Sequence, residues 1–412
     1  VIVEEGMRRA LSIVLAGGEG RRLYPLTMTR AKPAVPFAGR YRLIDFVLSN
    51  LVNSGFLWIK VLTQYKADSL IQHIFRTWRL SNILDHYIDV VPAQMRVTKE
   101  WFKGSADAIF QNIDIIESEK PEHILVFGAD HIYRMDISQM FRYHLEKDAD
   151  LTIATIDFPE NEFKRFGILS KDSDGRVVYY IEKPSTRDMI FFDSPVASMG
   201  NFIFKKDVLI NAVIEDSHDE TSTHDLSRDI IPKLVKTHKV YAYDFKSNIV
   251  PGMNENERGY FRDVGTIDGY FNTSMEMVSV SPPFSLYNAE WPIKAISLNM
   301  PPAKFVFADF ASKRAGYALD SLISEGCIIS GSMVKRSILS PCVRVNSYCE
   351  IEESVIFDNV VIGRHCRIRR AIIDKEVYIP EKTEIGYDLE KDRRRFYVSE
   401  NGVVVVPRGY RF

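Results

Sequence analysis

Between Cys327 and Ile385 the chain counts in sixes, and few sequence features narrow a fold as much. Every sixth residue from Cys327 is apolar, through Met333, Leu339, Val345, Ile351 and Phe357. A second register runs from Val343 through Cys349, Val355 and Val361, breaks at Arg367, and resumes at Ile373, Ile379 and Ile385. A sandwich strand would alternate every second residue. A six-residue period predicts instead a triangular coil in which each hexapeptide forms one short side, a left-handed parallel β-helix. His365 is the only histidine inside this run and has no acyltransferase signature around it, so the coil reads as a packing and self-association element.

Upstream, to about Met277, strand-like and helix-like segments alternate. Residues 59–63 read as a strand and 123–127 as a near-continuous apolar one; residues 66–76 carry apolar side chains at helical spacing, and 106–116 reads as another helix. Such alternation predicts an α/β domain with a Rossmann-like, mostly parallel sheet covered on both faces, with ligands bound beyond the carboxyl ends of the strands. Two proline pairs, Pro282-Pro283 and Pro301-Pro302, bracket an irregular region. The expected division is a catalytic domain over 1–280, a linker over 281–320, and the β-helix with a C-terminal tail over 321–412.

Within the first domain, residues 12–50 carry the chemistry. Ser12-Ile13-Val14-Leu15 reads as a buried strand that runs into Ala16-Gly17-Gly18-Glu19-Gly20, a loop whose backbone N–H groups could approach a polyphosphate. Arg21, Arg22, Arg30 and Lys32 follow within a dozen positions of the last glycine, and a glycine cradle beside fixed cations suits a nucleoside triphosphate or pyrophosphate. The loop is not a P-loop, because no Gly-Lys-Ser/Thr closes it, and Leu23 stands where a dinucleotide fingerprint has its third glycine.

A formal charge of −2 over 412 residues gives no reason to expect nucleic acid or an anionic membrane as partner, so phosphate affinity must be local. The apolar runs fall short of the roughly 20 residues of a membrane span. Met7-Arg8-Arg9 before residues 10–15 runs into the glycine loop rather than a cleavage site, and a cytoplasmic enzyme strand is the expectation. Cys327, Cys342, Cys349 and Cys366 have no metal-ligand spacing and read as reduced thiols in or near the core.

The continuation of the loop, Arg22-Leu23-x-Pro25-Leu26-Thr27 and Arg30-Ala31-Lys32-Pro33-Ala34, resembles the signature of the sugar-nucleotide pyrophosphorylases, in a form similar to the bacterial branch that makes ADP-glucose. Trp101-Phe102-Lys103-Gly104-Ser105-Ala106-Asp107-Ala108, Ala129-Asp130-His131-Ile132-Tyr133, Phe166-Gly167, Glu182-Lys183-Pro184, Ala197-Ser198-Met199-Gly200 and Phe261-Arg262-Asp263-Val264-Gly265-Thr266 resemble further family segments. The resemblance implies transfer of the adenylyl group of ATP to glucose 1-phosphate, for glycogen or α-glucan synthesis, with Mg2+ held by Asp130 and Asp263. It implies a catalytic set of Arg22, Lys32, Asp130, Lys183 and Asp263. Nucleotide contacts would come from Leu15, Ala16, Gly17, Gly18, Gly20, Gln64, Gly104 and Asp107, and glucose 1-phosphate contacts from Phe102, Gly167, Glu182, Lys183 and Ser198. Phe102 replaces a tyrosine usual in the family.

The same resemblance implies a homotetramer, a phosphorylated-sugar activator, and a nucleotide or phosphate inhibitor. Arg42 matches an effector-site arginine, and the basic run Arg393-Arg394-Arg395 would suit an anionic effector. Thr29 stands where enterobacterial members carry an activator-linked lysine, so the activator need not be theirs. Two alternatives stay open: a pyrophosphorylase for another base or sugar, and a non-catalytic regulatory subunit.

Overall fold

A computed structural model describes residues 2–93, 101–158, 160–190, 192 and 194–412. The first domain is built on a nine-stranded sheet. Ala10–Ala16 lies between Trp58–Thr63 and His123–Gly128 and is parallel to both, and Tyr87–Pro92 extends the parallel half. The long strand Val196–Lys205 then turns the sheet antiparallel: it pairs against His123–Gly128, Leu151–Ile156 and Gly167–Lys171, with Val177–Glu182 at that edge. The expected parallel arrangement thus holds around the glycine loop, and the segments with the sugar-site resemblance lie in the antiparallel half.

Alternate residues of the first strand enter different cores. Val14 and Ala16 join one apolar cluster, and Leu11 and Ile13 join another on the opposite face. Covering both faces is what makes this strand read as an unbroken apolar run. The helix expected over 66–76 spans Asp68–Thr77, whereas 106–116 is two short helices, Ser105–Phe110 and Ile113–Ser118. The break falls at Asn112, whose side-chain amide donates to Ala108 O at 2.8 Å.

The C-terminal domain is a three-sided parallel β-helix. Its strands stack into three parallel ladders, and one inward column per side runs through the coils: Ile329, Val345, Ile362 and Ile379; Val334, Ile351, Ile368 and Ile385; Leu339, Ile356, Ile373 and Val406. Paired residues are mostly 17 apart, one short of three hexapeptides, so counting by sixes slips by one each turn. The break at Arg367 is that slip: one 17-residue turn on from Cys349 is buried Cys366, and exposed Arg367 falls between it and inward Ile368. Each corner is turned by a residue in the left-handed region, in columns such as Gly331, Tyr348, His365 and Lys382, with φ between 59° and 67°. The four cysteines are free thiols, and three of them are buried in this domain, in line with the reduced state expected of them.

The β-helix already starts inside the segment expected as linker, since Lys304–Val306 pairs with Ile328–Ser330. The two domains also share an apolar cluster in which Leu26, Phe37, Tyr270 and Phe271 pack with Val355, Phe357, Ile372 and Val405. No helix among the described residues is long and apolar enough to cross a membrane.

Candidate active site

Two cavities open at the carboxyl ends of the parallel strands. The first, of about 350 Å³, is lined by Leu15, Gly17, Gly18, Gln64, Phe102, Gly104 and Ser105, among others. Gly20, at φ 67°, is in the left-handed region and starts the short turn Arg21–Leu23. Buried Leu23 anchors that turn, leaving its neighbour Arg22 free to reach the second cavity. Ala16 faces the core instead of this space. Asp107 Oδ2 is occupied within its own helix end, accepting from Lys103 N at 2.8 Å and Gln111 Nε2 at 2.9 Å.

The second cavity, of about 220 Å³, brings together Arg22, Lys32, Asp130, Gly167, Glu182, Lys183, Ser198 and Asp263. A two-stranded ribbon explains how residues so far apart meet. His131–Tyr133 pairs antiparallel with Phe261–Asp263, setting Asp263 opposite His131 and therefore beside Asp130. Lys32, held in a short turn with Pro33 behind it, ion-pairs with Asp130 and lies 3.7 Å from Asp263 Oδ1. Burial alone would favour a neutral Lys32 amine, but Asp130 and Asp263 outweigh it and raise its pKa. Burial alone would likewise lift both carboxyls, yet the Lys32 charge, with His131, holds each below its ordinary value. Both therefore stay ionised near neutral pH.

One oxygen each from Asp130 and Asp263 and a ring nitrogen of His131 lie within 4.8 Å of one another. Two ionised carboxylates fit a hard divalent cation that takes its other ligands from phosphate and water. Lys183 is at φ 45°, left-handed for a non-glycine residue, a local strain of the kind that concentrates at functional sites. Its Nζ lies 3.2 Å from Glu182 Oε1.

Several expectations need correcting. Phe102 lines the first cavity rather than the one with Lys183, and its carbonyl accepts from Gln64 at 3.4 Å. Of the four cations expected to meet the phosphates, only Arg22 and Lys32 line the second cavity. Arg21 is exposed and pairs with Glu19 at 2.6 Å. Arg30 points the other way and makes a buried bidentate pair with Asp374 of the β-helix, at 2.9 and 2.8 Å. Its partner lies 344 residues away, which no local motif could reveal.

Arg42 also faces the domain seam. It is 4.0 Å from Asp358 Oδ1, and Lys375 Nζ lies 3.2 Å from the other oxygen of that carboxylate. Arg393 pairs instead with Glu390 at 2.5 Å, Arg395 packs on Phe396 and Phe412, and Arg394 is exposed. Sequence reasoning missed Arg165, whose Nη2 donates to Asp263 O at 3.1 Å and Oδ2 at 3.2 Å, although it immediately precedes Phe166-Gly167. It also missed His131, Tyr180 and Ser227 on the same cavity wall.

Residues 11–279 match the nucleotidyl transferase family, and residues 301–406 match the GlmU-like C-terminal hexapeptide family, in keeping with a left-handed coil. The chain is 54% identical over 408 residues to a glucose-1-phosphate adenylyltransferase from Anaeromyxobacter sp. (strain Fw109-5), covering 98% of this chain and 99% of the relative. It is 55% identical over 408 residues to the enzyme of that name from Anaeromyxobacter dehalogenans (strain 2CP-C), with the same coverage. With the one from Frankia casuarinae it shares 49% identity over 405 residues, 97% of this chain and 98% of the relative.

Proposed function

The chain belongs to the glucose-1-phosphate adenylyltransferases within the nucleotidyl transferase family, and from that premise we propose that it joins ATP and α-D-glucose 1-phosphate into ADP-glucose and pyrophosphate. The observation that carries this reading is a single cavity lined by Arg22, Lys32, Asp130, Lys183 and Asp263, with the glycine loop lining its neighbour. A phosphate oxygen of glucose 1-phosphate attacks the α-phosphorus of ATP in line, the bond to the β-phosphate oxygen breaks, and pyrophosphate leaves. Both reactants are polyanions. The work left to the protein is to hold them aligned and to neutralise the charge that builds up on the leaving oxygen.

In this scheme Arg22 binds the β- and γ-phosphates, Lys32 meets the transferring or leaving phosphate, and Lys183 orients the sugar phosphate while Glu182, Ser198 and Gly167 face the sugar. Gly17, Gly18, Gln64 and Gly104 receive the nucleotide. Asp130 and Asp263 would hold Mg2+, which when bound supplies charge neutralisation at the phosphates. Arg165, bonded to Asp263, keeps that carboxylate aimed at the cavity. We assign the activator, an anionic phosphorylated sugar, to the seam at Arg42. The enzyme would be a cytoplasmic homotetramer supplying an α-glucan pathway.

Pyrophosphate release from purified protein, with glucose 1-phosphate fixed and ATP, GTP, UTP and CTP compared, tests the reading. ATP should win by a wide margin, and EDTA should abolish the signal until Mg2+ is restored. Equal use of another nucleotide would reassign the base; no release from any pair would make the chain a non-catalytic member.

A further inference from the structure

The wall of the second cavity contains a hydroxyl for which the scheme above has no use. Tyr180 stands two residues before Glu182 on the strand Val177–Glu182, so both side chains leave the same face. The phenol is buried, and a buried hydroxyl requires a partner. It donates its only proton to Glu182 Oε2 at 2.8 Å. Ser198 and Ser227 stand beside the same phenol and line the same cavity. Ser198 Oγ is itself held, accepting from Gly200 N at 3.1 Å.

Glu182 is thereby gripped from two directions, Oε2 by Tyr180 and Oε1 by Lys183 at 3.2 Å. A carboxylate offers about four acceptor sites, so capacity remains for a ligand in the cavity that Glu182 lines. The neighbouring strand is shaped to allow this. Gly167 pairs with Glu182 across the antiparallel ladder, and a methyl group there would overlap the Tyr180 hydroxyl and crowd Glu182 Oε2. Ser227 is fixed in turn: its N–H donates to Asp225 Oδ1 at 3.0 Å, and Ser105 Oγ, on the wall of the nucleotide cavity, accepts from Leu226 N at 2.7 Å. A tyrosine there for packing alone would need no carboxylate. Here its one donor is spent on the group aimed at the sugar.

We propose that Tyr180, with Ser198 and Ser227 beside it, is a positioning residue that fixes the Glu182 carboxylate as acceptor for sugar hydroxyls and so sets which sugar 1-phosphates the site admits. The inference rests on reading this cavity as the sugar phosphate site. A site built to hydrogen-bond a substrate hydroxyl discriminates against analogues that misplace it far better than an apolar pocket does. That discrimination fails once the acceptor is free to swing.

The test compares wild type, Tyr180→Phe and Ser227→Ala for pyrophosphate release from ATP with the 1-phosphates of glucose, galactose, mannose and 2-deoxyglucose. Tyr180→Phe should raise KM for glucose 1-phosphate on the order of tenfold, the loss expected for a hydrogen bond to a charged group. It should leave kcat little changed and narrow the preference for glucose over its epimers. Ser227→Ala should move the same quantities less, and Tyr180→Phe should add nothing in a Glu182→Gln background. A folded Tyr180→Phe protein, checked by its melting temperature, with wild-type KM and wild-type epimer discrimination overturns the inference. So does an effect that persists undiminished on Glu182→Gln. Should Tyr180→Phe fail to fold, Ser227→Ala decides by the same measurements. Wild-type protein that turns over no sugar phosphate would instead remove the reading of the cavity, and the inference with it, a result distinct from either of the others.

Discussion

Arg30 and Lys32 are two positions apart in one loop, both buried and both paired with aspartate, yet they belong to different regions of the molecule. Lys32 faces the second cavity, where Arg22, Lys32, Arg165 and Lys183 outnumber Asp130, Asp263 and Glu182, and where the Asp130 side chain keeps 28% of its surface exposed. Arg30 lies in the domain seam, where it and Asp374 retain 4% and 2% exposure and satisfy each other in a bidentate fork. The difference teaches that residue type does not separate a cation proposed for catalysis from a structural one. The Lys32 pair is incomplete and opens on space a ligand can fill; the Arg30 pair is closed.

Breaking the closed pair should give the largest effect. Arg30→Ala would strand a buried Asp374 charge and destabilise the folded chain by about 3–5 kcal/mol, while each molecule that still folds keeps its turnover. Replacing both partners, Arg30→Met with Asp374→Leu, should recover most of that loss. Urea melts beside initial rates measure the two quantities separately. Reduced turnover at unchanged stability would show that Arg30 also serves the phosphates.

Lys32→Ala is the converse. It should cost turnover on the order of 100- to 1000-fold, as removal of a preorganised charge from a transition state does, with little change in melting temperature. A large loss of stability with near-normal turnover would mean that Lys32 is the structural member of the two.

The contrast also marks what the sequence could convey. The glycine loop, Asp130 at the end of an apolar strand, and the six-residue register are local patterns, and a local pattern survives reading in one dimension. Arg30 could not be assigned because its partner is remote, and in sequence its side chain looks like those of its neighbours. The break at Arg367 looked like a defect, although it records a 17-residue coil whose corners use left-handed residues such as Tyr348, His365 and Lys382. Arg165 and Tyr180 went unseen because their roles arise from packing: each acts on a carboxylate brought to it by the fold. Phe102 was placed by its motif, whereas the fold decides which of two adjoining cavities it lines.

A third cluster sharpens the comparison because it is intermediate. At Arg42 two cations share the single carboxylate of Asp358, and the Lys375 side chain keeps 18% of its surface exposed. Burial, joined by the charge of Arg42, pushes the Lys375 ammonium down to about 8. The unfolded chain releases that proton near 10.4. Between those values the unfolded state binds more protons, so this group makes stability rise with pH, by about 1–3 kcal/mol. Denaturant melts at pH 7.5, 9 and 10.5 should show a rise in wild type that Lys375→Met lacks. Identical slopes in the two proteins would mean that Lys375 titrates in the folded chain as it does in the unfolded one, its charge fully paired by Asp358. An anion seated against Lys375 would favour its charged form, so activation by a sugar phosphate should weaken above pH 8.

The smallest expected effect separates the seam from the C-terminal basic run. Arg394 is exposed and Arg393 holds only a surface pair with Glu390, a contact worth no more than about 0.5 kcal/mol. If the activator binds where cations are buried and short of carboxylates, Arg394→Ala should leave the activation constant for a sugar phosphate within about twofold, because an exposed charge that does not touch the ligand is largely screened at physiological salt. Arg42→Ala should raise that constant much further, because the ligand would lose a desolvated partner. Titrating activation in both variants at low and at physiological salt distinguishes the two sources of attraction. An Arg394→Ala loss that appears only at low salt is long-range steering, consistent with a seam site. A loss as large as that of Arg42→Ala, surviving at physiological salt, would move the effector to the tail and leave Arg42 with Asp358 as a second closed structural pair.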